Sequence, residues 1–284
     1  RARRQRQMCI RDSHYMNFKD IFNIDGEVKE SAHARVNLIG EHTDYTGGYV
    51  MPTLLSFKNT IEISQNNSNE FTVYSQHFKE KKTFNDFKKS INNEWVDYIK
   101  GCLHIFFDEN KISSRFLSIF ISSDIPLERG ISSSSALCVA TLKALNTFFE
   151  TKIKDPEIAK LAKKVEFNYI GVSGGIMDQM VSSIGIHGKA FFMNCKNLEY
   201  ELINFPENWK FCLIDSEVQR NLRDSSYNER FAELQEAEKK LGVEYLGEVK
   251  KENFQTNKFD NSTIAKRAKH CLLYTSDAAD ELCS

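Results

Sequence analysis

The spacing of apolar positions changes several times along the chain, and each change marks a structural element. Trp95, Ile99, Leu103 and Phe106 recur every three to four residues, which predicts an amphipathic helix over 94–107. A short helix is expected at 18–22. Beyond it, β-branched and aromatic residues cluster over 49–57, 60–64 and 70–76, the last two separated by the polar run 65–69, and these read as strands. Over 115–122, Phe116, Ser118, Phe120 and Ser122 alternate with Leu117, Ile119 and Ile121, which predicts a strand with one face more buried than the other. Leu137, Ala140, Ala144 and Leu145 mark a helix to about 149, and Pro156 opens another that runs to about 170. Further strands are expected at 189–193, 200–204 and 210–214. A charged helix over 224–241 turns Phe231, Leu234 and Ala237 inward, and a basic helix covers 264–270. Strands and helices come in mixed blocks, which favours an α+β fold over a regular βαβ winding.

One stretch fits neither period. Residues 34–48 read Ala34-Arg35-Val36-Asn37-Leu38-Ile39-Gly40-Glu41-His42-Thr43-Asp44-Tyr45-Thr46-Gly47-Gly48. A segment this polar and turn-rich is a binding loop, anchored by Val36, Leu38 and Ile39. Glu41, His42 and Asp44 place acceptors and a ring donor close together, a combination suited to a polyhydroxylated ligand.

Two further segments carry candidate chemistry. Gly130-Ile131-Ser132-Ser133-Ser134-Ser135-Ala136 precedes the helix marked by Leu137. Backbone N–H groups at such a helix start, with small side chains around them, form an anion site for phosphate. Read alone, the serine cluster is equally an ordinary N-cap. No GxxxxGK[ST] pattern occurs, so the loop is not a P-loop. The other segment, Gly174-Gly175-Ile176-Met177-Asp178-Gln179-Met180, sets Asp178 between glycines and apolar residues, where a partly desolvated carboxylate can take a proton from a hydroxyl.

Composition limits the function classes. The chain has 284 residues with a formal net charge of −1, and 41% of them are hydrophobic. This near-neutral balance argues against a dedicated nucleic-acid or membrane-surface protein. The seven cysteines are scattered, with no CxxC pair or histidine spacing that suggests zinc. Buried free thiols in a reducing compartment, the cytoplasm, are the expectation, with Cys102 and Cys138 on helix faces and Cys212 in a strand.

The ends differ from the rest. Residues 1–13 carry five arginines without apolar periodicity, and 271–284 change character abruptly after the basic helix. Both are read as non-native sequence and set apart from the fold, with a native start near Met16. A basic nucleic-acid-binding arm is the alternative for the first. The remaining chain, 14–270, is taken to carry the fold.

Arg35 to Gly48 resembles the signature of the galactokinase branch of the GHMP kinases, and Pro126 to Ala136 and Gly174 to Met180, following in the right order, resemble the family's phosphate-binding loop and catalytic-Asp motif. The run Asn221-Leu222-Arg223-Asp224-Ser225-Ser226-Tyr227-Asn228-Glu229-Arg230 is similar to the same branch. The resemblance implies a two-lobed fold, with a ribosomal-protein-S5-like, sugar- and ATP-binding N-terminal lobe over 14–190 and a ferredoxin-like C-terminal lobe over 191–270, here incomplete. It implies an ATP- and Mg²⁺-dependent kinase acting on the anomeric hydroxyl of galactose. Asp178 and Arg35 would be catalytic. Glu41, His42, Asp44, Gly175 and Tyr227 would bind the sugar, with Asp44 setting epimer selectivity. Gly130, Ser132, Ser133, Ser134 and Ser135 would bind ATP, and Ser134 and Glu166 the metal; on residues alone, Glu166 reads as a solvated helix carboxylate. Glu128 and Arg129 depart from the small residues usual there, and the branch's third, Gly-rich motif is not found. A related sugar 1-kinase acting on N-acetylgalactosamine, arabinose or a uronic acid, and a non-catalytic galactose- and ATP-binding sensor, are the alternative functions.

Overall fold

A polar strand opens the sheet. β1 (Val28–Asn37) pairs antiparallel with the long β3 (Pro52–Gln65), which buries Ala32 and Ala34. The computed structural model describes residues 16–283 apart from 91, 93, 127, 128, 216–224, 255–257, 260 and 261. Eight strands form one sheet among these residues. Its central path runs β2 (Tyr49–Val50), β7 (Lys189–Asn194), β3, β6 (Leu117–Ser123), β4 (Phe71–Ser75) and β5 (Glu80–Phe84). β1 lies against β3, and β8 (Tyr200–Asn204) against β7. The β4–β6 pairing is parallel, whereas the other pairings are antiparallel.

Helices cover one face of this sheet. α2 (Val96–Asn110) and α3 (Ser133–Phe148) bury Ile99, Leu103, Phe106, Leu142 and Leu145 against Ile61, Ile63, Leu117 and Ile119. Side chains of this size each contribute about 1.5–3 kcal/mol when fully buried. α1 (Phe18–Phe22) sets Phe18 on Tyr74 and Phe120 of β4 and β6 in a separate small cluster. β6 is therefore buried on both faces from Leu117 to Ile121, where its alternation suggests one face more buried than the other. A strand flanked by β3 and β4 and covered by helices on both sides has no solvent face.

α4 (Asp155–Lys164) starts with Pro156 in its first turn and gives way to a π-helical turn, Val165–Ile170. The expected single helix to 170 thus changes pitch where Glu166 stands, and such turns recur at functional sites. α5 (Met177–Ile184) follows. α6 (Ser225–Leu241) and α7 (Ser262–Cys283), with the short 3₁₀ turn Leu246–Glu248, enclose a second core around Leu234, Ala237, Leu246, Ala268 and Leu272.

Three expectations need correction. The run 210–214 is not a strand: Phe211, Leu213 and Ile214 are 50%, 52% and 84% exposed, and no described strand pairs with them. Cys212 is accordingly an exposed thiol, while Cys102, Cys138, Cys195 and Cys271 are buried. The basic helix does not stop at 270. Ile264, Ala265, Ala268, Cys271 and Leu272 continue one helical stripe and are all buried, so α7 runs on through the segment set apart as non-native. The strands expected at 49–57 and 60–64 are the two-residue β2 and the single strand β3.

Candidate active site

β1 delivers Arg35 through an irregularity. The β1–β3 register shifts between His33 and Arg35, a bulge that re-aims the strand's end. Beyond it the Arg35 N–H donates to the Ile131 carbonyl of the serine loop at 3.2 Å, which ties strand and loop together. The Arg35 guanidinium is partly buried and holds Asp178 in a fork, Nε to Oδ1 at 2.6 Å and Nη2 to Oδ2 at 2.8 Å. Its Nη1 donates to the Gly130 carbonyl at 3.0 Å. Burial works against the Arg35 charge, but Asp178 more than offsets it, and the guanidinium titrates above its ordinary value. Paired charge-assisted bonds of this kind fix orientation as well as charge.

Asp178 is the second residue of α5, where the helix dipole favours an anion. The Ser132 hydroxyl donates to the same Oδ2 at 2.5 Å. Ser132 sits in the left-handed region at φ 62° and precedes α3, yet its side chain makes no capping bond. The serine cluster is therefore not an ordinary cap. Ser132 turns to Asp178, and the Ser134 and Ser135 hydroxyls donate inward to Glu166 Oε1 and Oε2, each at 2.7 Å. The start of α3 is left without a side-chain cap, and its first N–H groups remain for an anion.

Glu166 is 6% exposed, which removes the reading of a solvated surface carboxylate. Burial pushes its pKa up, against the bonds from Ser135, Ser134 and Gln179 that favour the ionised form. Gln179 Nε2 donates to Glu166 Oε2 at 2.5 Å, and its buried Oε1 has no protein partner.

The polar loop folds over this pair. Gly40 takes φ 102°, and a Cβ there would lie 2.4 Å from the Tyr49 carbonyl, so only glycine fits the turn. Asp44 backs onto Gly175 so closely that a Cβ on Gly175 would meet Asp44 Oδ2 at 2.1 Å and its backbone carbonyl carbon at 2.6 Å. Burial, then the Asp178 charge, raises the Asp44 pKa to about 7, against Lys163 and Arg35, which favour ionisation. His42 stands at φ 64° with Nδ1 2.7 Å from the Tyr45 hydroxyl. Glu41 is exposed and accepts from Asn37 Nδ2 at 3.2 Å. The loop is braced from the second core: the Tyr45 ring packs tilted against Phe231, with centroids 5.1 Å apart, and the Gly247 N–H donates to the Thr46 carbonyl at 2.8 Å.

The fold thus brings Arg35, Asp178, Gly130 and Ser132 into direct contact, Asp44 onto Gly175, and Ser134 and Ser135 onto Glu166. The Ser133 carbonyl faces elsewhere and accepts from Asn59 Nδ2 at 2.9 Å. Arg129 pairs with Asp215 at 3.1 Å. Glu128 and residues 221–224 of the fourth motif lie outside the described residues, as does the side chain of Tyr227. Sequence reasoning missed Gln179 and Lys163. Lys163 looks like one more charge on a basic helix, and only its distance from solvent in the fold sets it apart.

Known proteins resemble this chain in sequence and in fold. Residues 97–185 match the GHMP kinases N terminal domain, and residues 16–65 match the galactokinase galactose-binding signature. The galactokinase of Thermotoga petrophila is 35% identical over 246 residues, covering 86% of this chain and 68% of that protein. That of Pyrococcus furiosus is 38% identical over 216 residues, 76% of this chain and 60% of that one. The structure of Lactococcus lactis galactokinase complexed with galactose superposes with a TM-score of 0.81 at 30% identity, covering 91% of this chain and 70% of that chain. The Methanococcus jannaschii mevalonate kinase, at TM-score 0.56 and 20% identity, shares the fold. The chain spans between about three-fifths and seven-tenths of the length of these galactokinases. With its sheet, serine loop and Arg35–Asp178 pair set as described, the chain belongs to the galactokinase family of GHMP kinases.

Proposed function

We propose that this chain transfers the γ-phosphoryl group of ATP to the anomeric hydroxyl of D-galactose, giving galactose 1-phosphate and ADP. The observation that carries this reading is the forked Arg35–Asp178 pair, placed where the polar loop's strand meets the serine loop. A sugar hydroxyl held beside Asp178 loses its proton to that carboxylate as its oxygen bonds to phosphorus, and ADP departs with the electrons of the broken P–O bond. Arg35 remains cationic throughout and neutralises charge on the transferring group. Positioning and charge stabilisation of this kind supply most of the catalysis in phosphoryl transfer.

Asp44, with Glu41 and His42, accepts and donates hydrogen bonds to the ring hydroxyls, and Tyr227 closes the sugar side. Gly130 and Ser132 to Ser135 line the approach of the nucleotide phosphates. Ser134 and Glu166 offer the hard oxygen donors that Mg²⁺ prefers, next to the uncapped start of α3, and so fit the ion. Held there with ATP, such an ion would supply positive charge to the phosphate oxygens. We read the protein as cytoplasmic, in keeping with Cys102, Cys138, Cys195 and Cys212, which form no disulfide among the described residues. Among the described residues, no helix is long and apolar enough to cross a membrane.

Two outcomes are expected at the sugar loop. Asp44 titrates near 7, so the carboxylate that accepts from two hydroxyls is the majority form only above that pH. Galactose affinity therefore falls as pH drops through about 7, by about tenfold per pH unit once protonation dominates. Calorimetric titration of galactose between mildly acidic and mildly alkaline buffer checks the slope, and a flat profile contradicts the role of Asp44. Gly175→Ala forces its new methyl onto the Asp44 backbone as well as its carboxylate. It is expected to raise the galactose KM at least about tenfold, since displacing such a contact costs more than about 1.4 kcal/mol.

The function is tested by galactose-dependent ADP release from Mg-ATP. Release with galactose and not with glucose is the expected result. A folded chain that binds both substrates without turnover would instead be a sensor.

A further inference from the structure

Lys163 is the cation of this site that the galactokinase signatures do not account for. It stands in the last turn of α4, and its ammonium points away from the helix to the glycine turn before α5. There it donates to the Gly174 carbonyl and, at 2.6 Å, to the Gly175 carbonyl. An ammonium has three donors and no acceptor, so two of the three are spent on holding adjacent carbonyls of one turn. That turn is the wall behind Asp44, because Gly175 has no room for a Cβ against the Asp44 carboxylate and backbone. A charged lysine this close to the interior needs a compensating anion. Asp44, Glu166 and Asp178 supply it, each favouring the ammonium that burial disfavours.

We propose that Lys163 is a positioning residue for sugar binding: it fixes the Gly174–Gly175 turn that backs Asp44, and its charge keeps Asp44 an anionic acceptor for the sugar hydroxyls. The inference rests on the galactose reading of the polar loop. Two cations face a crowded group of acids. In the loop that carries Asp44, burial and then Cys271 and Asp44 keep the Tyr45 hydroxyl protonated, while Glu41 opposes the ionisation of Asp44. Asp178 on α5 opposes it too, whereas Arg35 on β1 and Lys163 on α4 favour it. The thiols of Cys195 and Cys271 border the same carboxylate and are held neutral by burial. Of the two cations Lys163 favours the ionisation of Asp44 more, and both Asp178 oxygens already engage Arg35.

The test compares Lys163→Gln and Lys163→Arg with the unaltered chain. Glutamine keeps a donor for the carbonyls but no charge, while arginine keeps both. Galactose binding is followed by calorimetry from acidic to alkaline pH, and KM and kcat by ADP release. Lys163→Gln is expected to raise the galactose KM about tenfold at neutral pH and to move the acidic limb of galactose binding to higher pH. The ATP KM stays unchanged and kcat falls less than about threefold. Lys163→Arg is expected to return the acidic limb to its original place. A Lys163→Gln chain with unaltered galactose KM and pH limb overturns the proposal. So does an equal rise in both KM values, or a Lys163→Arg limb that stays displaced. If Lys163→Gln does not fold, the Lys163→Arg profile decides alone, a displaced limb counting against it. An unaltered chain that binds no galactose removes the sugar reading, and this inference with it; an unaltered chain that binds galactose leaves any failure to Lys163.

Discussion

Asp178→Asn is expected to abolish turnover while leaving galactose binding close to that of the unaltered chain. The amide keeps the shape of the carboxylate and an oxygen for Arg35 or Ser132, but it cannot accept a proton from an attacking hydroxyl. It also removes the charge that the Arg35 fork and the Ser132 hydroxyl are arranged around. Loss of a positioned base costs on the order of 10² to 10⁴ in rate. The upper part of that range is expected here, because the freed guanidinium also reorients toward the phosphates. Arg35 has a side-chain exposure of 15%, so stripping its counter-charge costs folding stability of about 1–3 kcal/mol as well. Steady-state ADP release gives the turnover, and calorimetry gives the binding. A thermal melt separates lost chemistry from lost fold. A mutant that retains a tenth of the original kcat would show that Asp178 orients the sugar without taking its proton.

Arg35→Lys carries the second large effect. A lysine keeps the positive charge, so a purely electrostatic role predicts little change. The structure asks more of this residue: Nε and Nη2 bind the two Asp178 oxygens side by side, while Nη1 reaches the Gly130 carbonyl in the serine loop. A single ammonium cannot span three acceptors held in that plane. Losing about two charge-assisted bonds, each near 1.5–3 kcal/mol, is expected to lower kcat/KM on the order of 10²-fold or more. The loss should fall on kcat, since the polar loop's own sugar contacts survive. A change confined to the ATP KM would instead assign Arg35 to nucleotide binding.

The chemistry of this site was more legible in the sequence than its framework. Arg35, Asp44, Gly175 and Asp178 stand out because no packing period explains them, and the fold joins all four within one cluster. The helices α2, α3 and α6 were legible for the opposite reason, since their apolar spacing repeats. β1 was not, because its outward positions are polar and its strand geometry is imposed by nine residues paired with β3. β5, Glu80–Phe84, is an edge strand whose Glu, Lys and Thr residues give no apolar alternation before the single Phe84. The run 210–214 misled in the reverse direction: it has strand-like residues but no neighbour among the described strands to pair with. Glu166 shows the limit most clearly. A carboxylate on a basic helix looks solvated, and only the π-helical turn carries it inward, onto Ser134, Ser135 and Gln179.

The central claim is that one carboxylate–guanidinium pair directs phosphate to the anomeric oxygen of galactose. The measurement that tests it most directly is the phosphorus and proton NMR spectrum of the product formed from Mg-ATP and galactose, with Asp178→Asn run alongside. The account predicts a single sugar phosphate, coupled through phosphorus to the anomeric proton, and none from the mutant. Phosphate on another hydroxyl, or the same product from Asp178→Asn, would contradict it.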